Sequence, residues 1–220
     1  MGKFVRENSL SLVLFGLFAF SVAGQYFVGW QEYNEEQIQH GQAAVDAASY
    51  LATGHFWEAI FENWESEFLQ MAAFVVLTVF LFQKGSAESR EGGGKIERSD
   101  VIQSPEHFTK DTPWPLRKGG IYRKIYENSL GLTLFLLFVG SFVMHGVSGA
   151  ADYNEQQTEH GGNQVTAIEY MGTSRFWFES LQNWQSEFLS VGMMIVLTIF
   201  LRQKGSPESK PVDSPWFETG

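Results

Sequence analysis

Two glutamates, Glu67 and Glu187, are the first candidates for chemistry, because each lies where an amphipathic stretch meets a fully apolar one. In a helical projection, polar residues four positions before and eleven positions after each glutamate share its face. These companions are Asn63 and Thr78 in one stretch, and Asn183 and Thr198 in the other. Ionisable groups near membrane depth are costly and usually face protein or water. The six residues therefore form a candidate proton or cation site. The alternative places both carboxylates at the headgroup level, hydrated or capping a loop.

A second polar motif, Tyr-Asn-Glu-x-Gln-x-x-His-Gly, occurs at residues 33–41 and again at 153–161. Its glutamate and histidine are residue types that bind metals or transfer protons. These residues are Glu35 and His40 in the first occurrence, and Glu155 and His160 in the second. One histidine in each is too few for a metal site, so both occurrences would have to converge. We otherwise interpret the motif as a structured external turn, in which Gly41 and Gly161 relieve backbone strain.

Two further polar features have simpler interpretations. His145 lies in the third apolar run, opposite the position of Gln25 in the first, and a hydrogen bond between helices explains it better than a transport pathway. Glu58, Glu62 and Glu65 follow one another at helical spacing, like a carboxylate face for a metal. The corresponding positions near residue 180 hold a phenylalanine and two glutamines. We therefore expect the glutamates to form a solvated helix face.

The candidate residues occur in pairs because residues 7–90 and 127–210 align without a gap at an offset of 120. Roughly half of the aligned positions are identical, which indicates a tandem duplication of one unit. The expected domains are a first membrane repeat (1–90), a flexible cytoplasmic linker (91–120), a second membrane repeat (121–210) and a cytoplasmic tail (211–220).

Four apolar stretches are predicted to cross a membrane as helices. Residues 10–30 and 129–151 contain no Asp, Glu, Lys or Arg, and each is long enough to span a hydrocarbon core of about 30 Å. Residues 68–82 and 188–201 are shorter, and need their amphipathic flanks to complete a span. One helix is expected from Phe56 to Gln83, since no glycine or proline interrupts it. The first run resembles a signal peptide, but its repeat in mid-chain favours a retained transmembrane helix.

The distribution of cations predicts the orientation of these helices. All but one of the 15 Lys and Arg residues lie before the first apolar run, between the repeats or at the C-terminal end, and the exception is Arg175. Cytoplasmic loops retain Lys and Arg, so both termini and the linker should be cytoplasmic and the acidic hairpin loops external. The fold class is therefore an all-α membrane protein of two tandem helical hairpins, related by a pseudo-twofold axis along the membrane normal.

A cluster of aromatic and basic side chains begins in the linker and continues into the second repeat. It contains Trp114, Arg117, Lys118, Arg123 and Lys124. Such a cluster is suited to contact an anionic inner leaflet. A solvated linker that carries ordinary topology-setting charges is the alternative.

Several function classes are excluded by composition and motifs. The chain has no cysteine, so disulfides, thiolate chemistry and cysteine-ligated metals are ruled out. The sequence contains no phosphate-binding glycine loop, nucleophile elbow or zincin motif. A net charge of -10 opposes nucleic-acid binding. We expect no cofactor, a lipid bilayer as the main partner, and either a homo-oligomer or another membrane protein as a second.

The chain resembles a family of small bacterial integral membrane proteins that is classified as a domain of unknown function. The resemblance rests on Glu-Asn-Ser-Leu at 7–10 and 127–130, and on the Asn-Trp-x-Ser-Glu-Phe to Gln-Lys-Gly-Ser-x-Glu-Ser stretches ending at Ser89 and Ser209. It implies a multi-pass protein of the bacterial inner membrane, and it implies no activity or ligand.

Three functional hypotheses follow. The first is a non-enzymatic structural or accessory membrane component, since both repeats share no reactive constellation. The second is a small proton or cation carrier or channel built around Glu67 and Glu187. The third is a membrane metalloenzyme that uses the external histidines and glutamates.

Overall fold

The computed structural model describes residues 2–88, 108–159 and 161–219. Over these ranges all regular structure is helical and no strand occurs, which confirms the all-α class. The helices are α1 (Lys3–Glu7), α2 (Ser9–Gln39), α3 (Ala47–Tyr50), α4 (Gly54–Phe80), α5 (Trp114–Lys118), α6 (Gly120–Glu127), α7 (Ser129–Glu159), α8 (Ala167–Met171) and α9 (Ser174–Phe200). Most of the predicted linker lies outside the described residues, but its last part forms α5.

The long helices differ from the apolar runs in their bounds. α2 and α7 each continue several residues beyond the end of the uncharged run, into the polar motif. α4 begins at Gly54 and ends at Phe80, three residues before the expected end at Gln83. The bounds of α2 and α4 recur in α7 and α9 at an offset of 120.

Two of the described helices, α2 and α7, are long and apolar enough to cross a membrane. In α2, none of the most apolar 18-residue window is buried, and in α7 only 22% of it is. The prediction of four spans and of a pseudo-twofold axis goes beyond this finding.

The Glu-Asn-Ser-Leu motif marks a break between a short helix and a long one. Asn8 leaves the helical conformation, and its side-chain amide donates to the Phe4 carbonyl at 2.9 Å, which ends α1. Asn128 makes the same bond to the Lys124 carbonyl at 2.8 Å, which ends α6. Each asparagine side chain thus adds a donor to a carbonyl of the last turn, the part of a helix that lacks intrahelical donors.

The chain divides into two compact units. The first unit contains residues 1–61 and 144–176, and the second contains residues 62–143 and 177–220. The core of the first unit is aromatic, with Tyr33, Tyr50, Phe56 and Ile60 buried together. Each unit includes residues from both of the predicted repeats.

In the second unit, the C-terminal segment folds back onto the end of α9. The guanidinium of Arg202 donates to the Ser214 carbonyl at 3.1 Å. Lys210 is buried, and its ammonium donates to the carbonyls of Trp216 and Glu218 at 3.1 and 2.7 Å. An ammonium has three donors and no acceptor, so it can hold several carbonyls at once.

In the first unit, the loop after α2 returns to the side of that helix. The Asn34 amide donates to the Val45 carbonyl at 3.0 Å and accepts from the Val45 amide at 2.7 Å. Asn154 on α7 forms the same pair of bonds with Val165, at 2.8 and 2.7 Å. The asparagine of the polar motif is therefore a structural residue that fixes the returning chain.

The expected turn is present only after Gln39, because the motif residues before it are helical, and its external location stays a prediction. Gly41 adopts a φ of 76°, and the next amide, from Gln42, donates to the Gln37 carbonyl at 2.8 Å. Gly161 adopts a φ of 68°. A glycine in this left-handed conformation is a common way to close a helix.

Replacing Asn34 by alanine should release the returning loop. Two hydrogen bonds are lost, so we expect a destabilisation of about 1–3 kcal/mol and faster hydrogen exchange at the Val45 amide. Asn154→Ala is the matched control, since it should accelerate exchange at Val165 and leave Val45 protected. Unchanged exchange at Val45 in the Asn34→Ala protein would contradict this role.

Candidate functional site

A cluster of charged and polar side chains is buried in the first unit. Glu58 and Asp152 are 6% and 3% exposed. The Arg175 guanidinium lies 3.1 Å from Asp152 and 3.8 Å from Glu58. Gln156 accepts from Arg175 and donates to Asp152, each at 2.8 Å, and the Tyr170 hydroxyl donates to Glu58 at 3.0 Å. These five residues are called the buried charge cluster below.

Four helices supply these side chains. Glu58 comes from the first turns of α4, Asp152 and Gln156 lie one turn apart on α7, Tyr170 is on α8, and Arg175 is in the first turn of α9. Because residues four apart share a helix face, Asp152 and Gln156 can hold the same guanidinium.

Two glycines let these helices approach closely. A Cβ at Gly149 would lie 2.5 Å from the Tyr170 ring and 2.8 Å from the Glu58 carboxylate. A Cβ at Gly54 would lie 2.4 Å from the Asp152 backbone nitrogen. Since real Cβ contacts are essentially never below 3.0 Å, glycine is required at both positions for this packing.

His145 lies beside the cluster and is fully buried. Its ring stacks on Phe176 with centroids 4.6 Å apart, and a ring nitrogen lies within 4.8 Å of a Glu58 carboxylate oxygen. Gln25, its counterpart in the sequence comparison, is exposed. His145 therefore contacts α9 through a ring stack, and the predicted hydrogen bond between helices stays a prediction.

The expectation that Glu58, Glu62 and Glu65 form a solvated face is wrong. Glu58 and Glu65 are buried, and Glu62 is partly buried. In the second unit, Glu65 accepts from the Trp184 indole at 2.9 Å, and Glu62 accepts from the Asn183 amide at 2.5 Å. Each carboxylate is buried because a donor faces it, which offsets the cost of desolvation.

A signal for this arrangement was present in the sequence. Arg175 is the single cation inside either hairpin, and it occurs in the repeat that lacks the glutamate ladder. The arginine has no counterpart in the first repeat, and the carboxylates of the ladder have none in the second. This mismatch indicates that the two copies make different contacts at these positions.

The six residues of the predicted carboxylate site have separate partners in the second unit. Glu67 is exposed and interacts electrostatically with Glu187, which is partly buried. The amide of Asn183 is directed to Glu62, whereas Asn63 is exposed. Thr78 donates to the Phe74 carbonyl of its own helix at 2.9 Å, and Thr198 is buried 3.1 Å from the Ser86 hydroxyl. Of the six, Glu67 and Glu187 are the two that interact with each other electrostatically, and this interaction is a repulsion between like charges.

The residues of the external motif lie in different surroundings. Glu35 and His40 are exposed. Glu155 accepts a hydrogen bond from the Tyr33 hydroxyl. His160 lies outside the described residues, so convergence of the two histidines stays a prediction.

A tyrosine of the first unit illustrates the electrostatics near the cluster. Tyr50 is buried, and its hydroxyl lies 2.9 Å from His55 Nδ1. Burial, followed by the negative charges of Glu32 and Asp152, raises the pKa of Tyr50 to about 12. A small niche of about 10 Å³ opens beside Asp152, with room for about one water molecule. The local potential is therefore negative, and Tyr50 stays protonated as a donor throughout the physiological range.

The buried charge cluster is arranged to hold helices together. The guanidinium, the amide and the phenol together satisfy both carboxylates. The donors of the cluster are therefore directed at acceptors within the cluster. Removing one partner from a buried ion pair leaves an uncompensated charge, which is strongly destabilising.

Residues 1–220 match the sequence profile of a known protein family. The chain belongs to DUF6766, a domain of unknown function. No curated protein and no solved structure matches the chain. The resemblance to a family of unknown function is thereby confirmed, whereas its bacterial source stays a prediction.

Arg175→Gln should destabilise the first unit by ~3 kcal/mol, near the lower end for a buried pair that loses one partner, because a third of the arginine side chain is exposed. Arg175→Lys should recover part of the loss by keeping the charge. Arg123→Gln removes an exposed pair with Glu127 and should cost about 0.5 kcal/mol. Equilibrium unfolding in mixed micelles measures all three, and equal effects of the two glutamine variants would refute the role of the cluster.

Proposed function

We propose that this chain is a multi-pass integral membrane protein that serves as a non-enzymatic structural or accessory component. The observation that carries the proposal is the exposure of α2. Leu10, Phe15 and Phe20 are 72%, 72% and 77% exposed along a helix of 31 residues. A soluble protein buries such side chains, and large exposed apolar surfaces mark membrane or protein contacts.

Four crossings agree best with the positions of the charges. α4 and α9 have amphipathic first halves and apolar second halves, so they complete a span with their aromatic residues at the outer interface. Cations gather before α2, between α4 and α7, and after α9. By the positive-inside rule, both termini and the linker are cytoplasmic, and the protein lies in a bacterial inner membrane.

Tandem duplication of a two-helix unit is part of the proposal. It is supported by the equal bounds of the long helices at an offset of 120, and by the matching bonds of Asn34 and Asn154. On this basis the repeats are residues 1–90 and 121–210, joined by the linker 91–120 and followed by the tail 211–220. Two hairpins of equal orientation would be related by a pseudo-twofold axis along the membrane normal.

A non-enzymatic role is favoured by the way the buried charge cluster is satisfied. A catalytic acid or base needs a proton that it can exchange with a substrate. Here the carboxylates of Glu58 and Asp152 are held by Arg175, Tyr170 and Gln156. The cluster acts as a fixed connection between helices, which suits a scaffold for lipid or another membrane protein.

The topology predicts which positions react with a membrane-impermeant maleimide in intact cells. The chain has no cysteine of its own, so an introduced cysteine is the single thiol that can react. Ala43→Cys and Asn163→Cys, in the two external loops, should be labelled. Lys84→Cys and Lys204→Cys, at the inner ends, should be labelled only after permeabilisation. All four positions are exposed, and labelling of Lys84→Cys in intact cells would exclude four crossings.

A proton or cation carrier is the second candidate function. It is favoured by the electrostatic interaction of Glu67 with Glu187, two carboxylates of the second unit. Two like charges held close together favour uptake of a proton or a cation by one of them. Four spans make a thin-walled pore, so this function also requires an oligomer.

Proteoliposome flux tests the carrier function. The double variant Glu67→Gln and Glu187→Gln should abolish pH-driven or cation-driven flux, because neither amide can bind a proton or hold a cation by charge. Glu7→Gln with Glu127→Gln removes another pair of carboxylates at the same offset and should leave flux intact. Flux that persists in the first double variant, or that is absent from the unmodified protein, rejects the carrier.

A further inference from the structure

The segment from Trp114 to Glu127, which forms α5 and α6, has a charge unlike that of the rest of the chain. Four of the 15 Lys and Arg residues lie between positions 117 and 124, with no acidic residue among them. The protein as a whole carries a net charge of -10. A compact cationic segment in an acidic protein indicates an anionic partner.

α6 is amphipathic, and its apolar face is open. The apolar residues occupy one side of the helix at helical spacing, and the cations occupy the other. The apolar set is Ile121, Tyr122, Ile125 and Tyr126, and all four are exposed. A short helix with exposed aliphatic and aromatic side chains on one face, and Lys and Arg on the other, is suited to lie in a membrane interface.

Aromatic rings hold one of the cations in place beside this face. The Lys118 ammonium lies 3.8 Å from the centre of the Tyr122 ring and 5.8 Å from that of Trp114. The two rings are 5.6 Å apart. This cation–π contact orders α5 against α6, and it keeps a positive charge at the level where Trp and Tyr prefer the headgroup region.

A groove begins where α6 ends. It has a volume of about 740 Å³, lies in the second unit between α4 and α7, and starts at Glu127 and Asn128. Its apolar walls include Leu69, Val76 and Phe80 on α4, and Leu130 and Phe135 on α7. Ligand cavities of this size are common, and these walls are suited to an acyl chain.

We propose that α5, α6 and this groove form a binding site for an anionic phospholipid. Arg117, Lys118 and Lys124 hold the phosphate and the negative headgroup, whereas Arg123 is paired with Glu127, and an acyl chain lies in the groove between α4 and α7. This inference rests on the proposed membrane location, and it adds that one part of the protein binds a particular class of lipid. A juxtamembrane cation contributes about 1 kcal/mol to attraction by an anionic surface. The groove determines where on the protein the lipid binds.

The test uses the full chain in micelles, with a fluorophore sensitive to polarity on Ile125→Cys. Phosphatidylglycerol and phosphatidylcholine are titrated separately. Phosphatidylglycerol should bind at least fivefold more tightly, with a blue shift of the emission. Arg117→Gln with Lys124→Gln should weaken its binding by about fivefold for each cation and leave phosphatidylcholine unchanged.

Lys84→Gln with Lys204→Gln is the matched control, since it removes two exposed cations elsewhere in the chain. Equal binding of the two lipids, or an equal loss in the control, overturns the proposed site. Gly131→Leu narrows the groove and should weaken the binding of both lipids. Unchanged binding in this variant would show that no acyl chain occupies the groove. A chain that stays monodisperse in buffer without detergent or lipid refutes the membrane location itself, and this is seen before any lipid is added.

Discussion

The constraint on which the fold depends is that the described residues leave the apolar surface of α2 uncovered. Exposing that surface to water carries a free-energy cost proportional to its area, and none of its most apolar window is buried by the described chain. A bilayer removes the same surface from water without any tertiary contact. If α2 lies in a bilayer, as proposed, the aromatic core, the returning loops and the buried charge cluster are needed only to position the helices.

The buried charge cluster gives the first unit its specificity. Apolar contacts between membrane helices discriminate little, because lipid tails are as apolar as leucine. Arg175 instead requires Asp152 and Glu58 at fixed positions, and Gly54 and Gly149 allow the helices to come close enough. A buried ion pair adds little net stability, but breaking it is costly, so it selects one arrangement among many.

The helical class and the extent of α4 follow from the sequence, because periodicity and the absence of glycine and proline act locally. The extension of α2 to Gln39 does not, since it depends on the bonds between Asn34 and the returning loop. The burial of Glu58 was also missed. Helical spacing predicts the faces of a single helix, whereas the burial of a carboxylate depends on donors that other elements supply. The repeat pairs Glu67 with Glu187, but a shared site of all six residues stays a prediction, and the partners of Asn183 and Thr198 depend on tertiary packing.

The most direct test of lipid contact is the collision rate of nitroxides at Phe15→Cys and Phe20→Cys in reconstituted bilayers. Oxygen concentrates in the hydrocarbon core, and a water-soluble nickel chelate is excluded from it. If lipid surrounds α2, oxygen collisions should exceed nickel collisions at both positions, with the reverse at Ala43→Cys in the loop after α2. Nickel collisions that dominate at Phe15 and Phe20 would mean that water surrounds this helix, and would contradict the account.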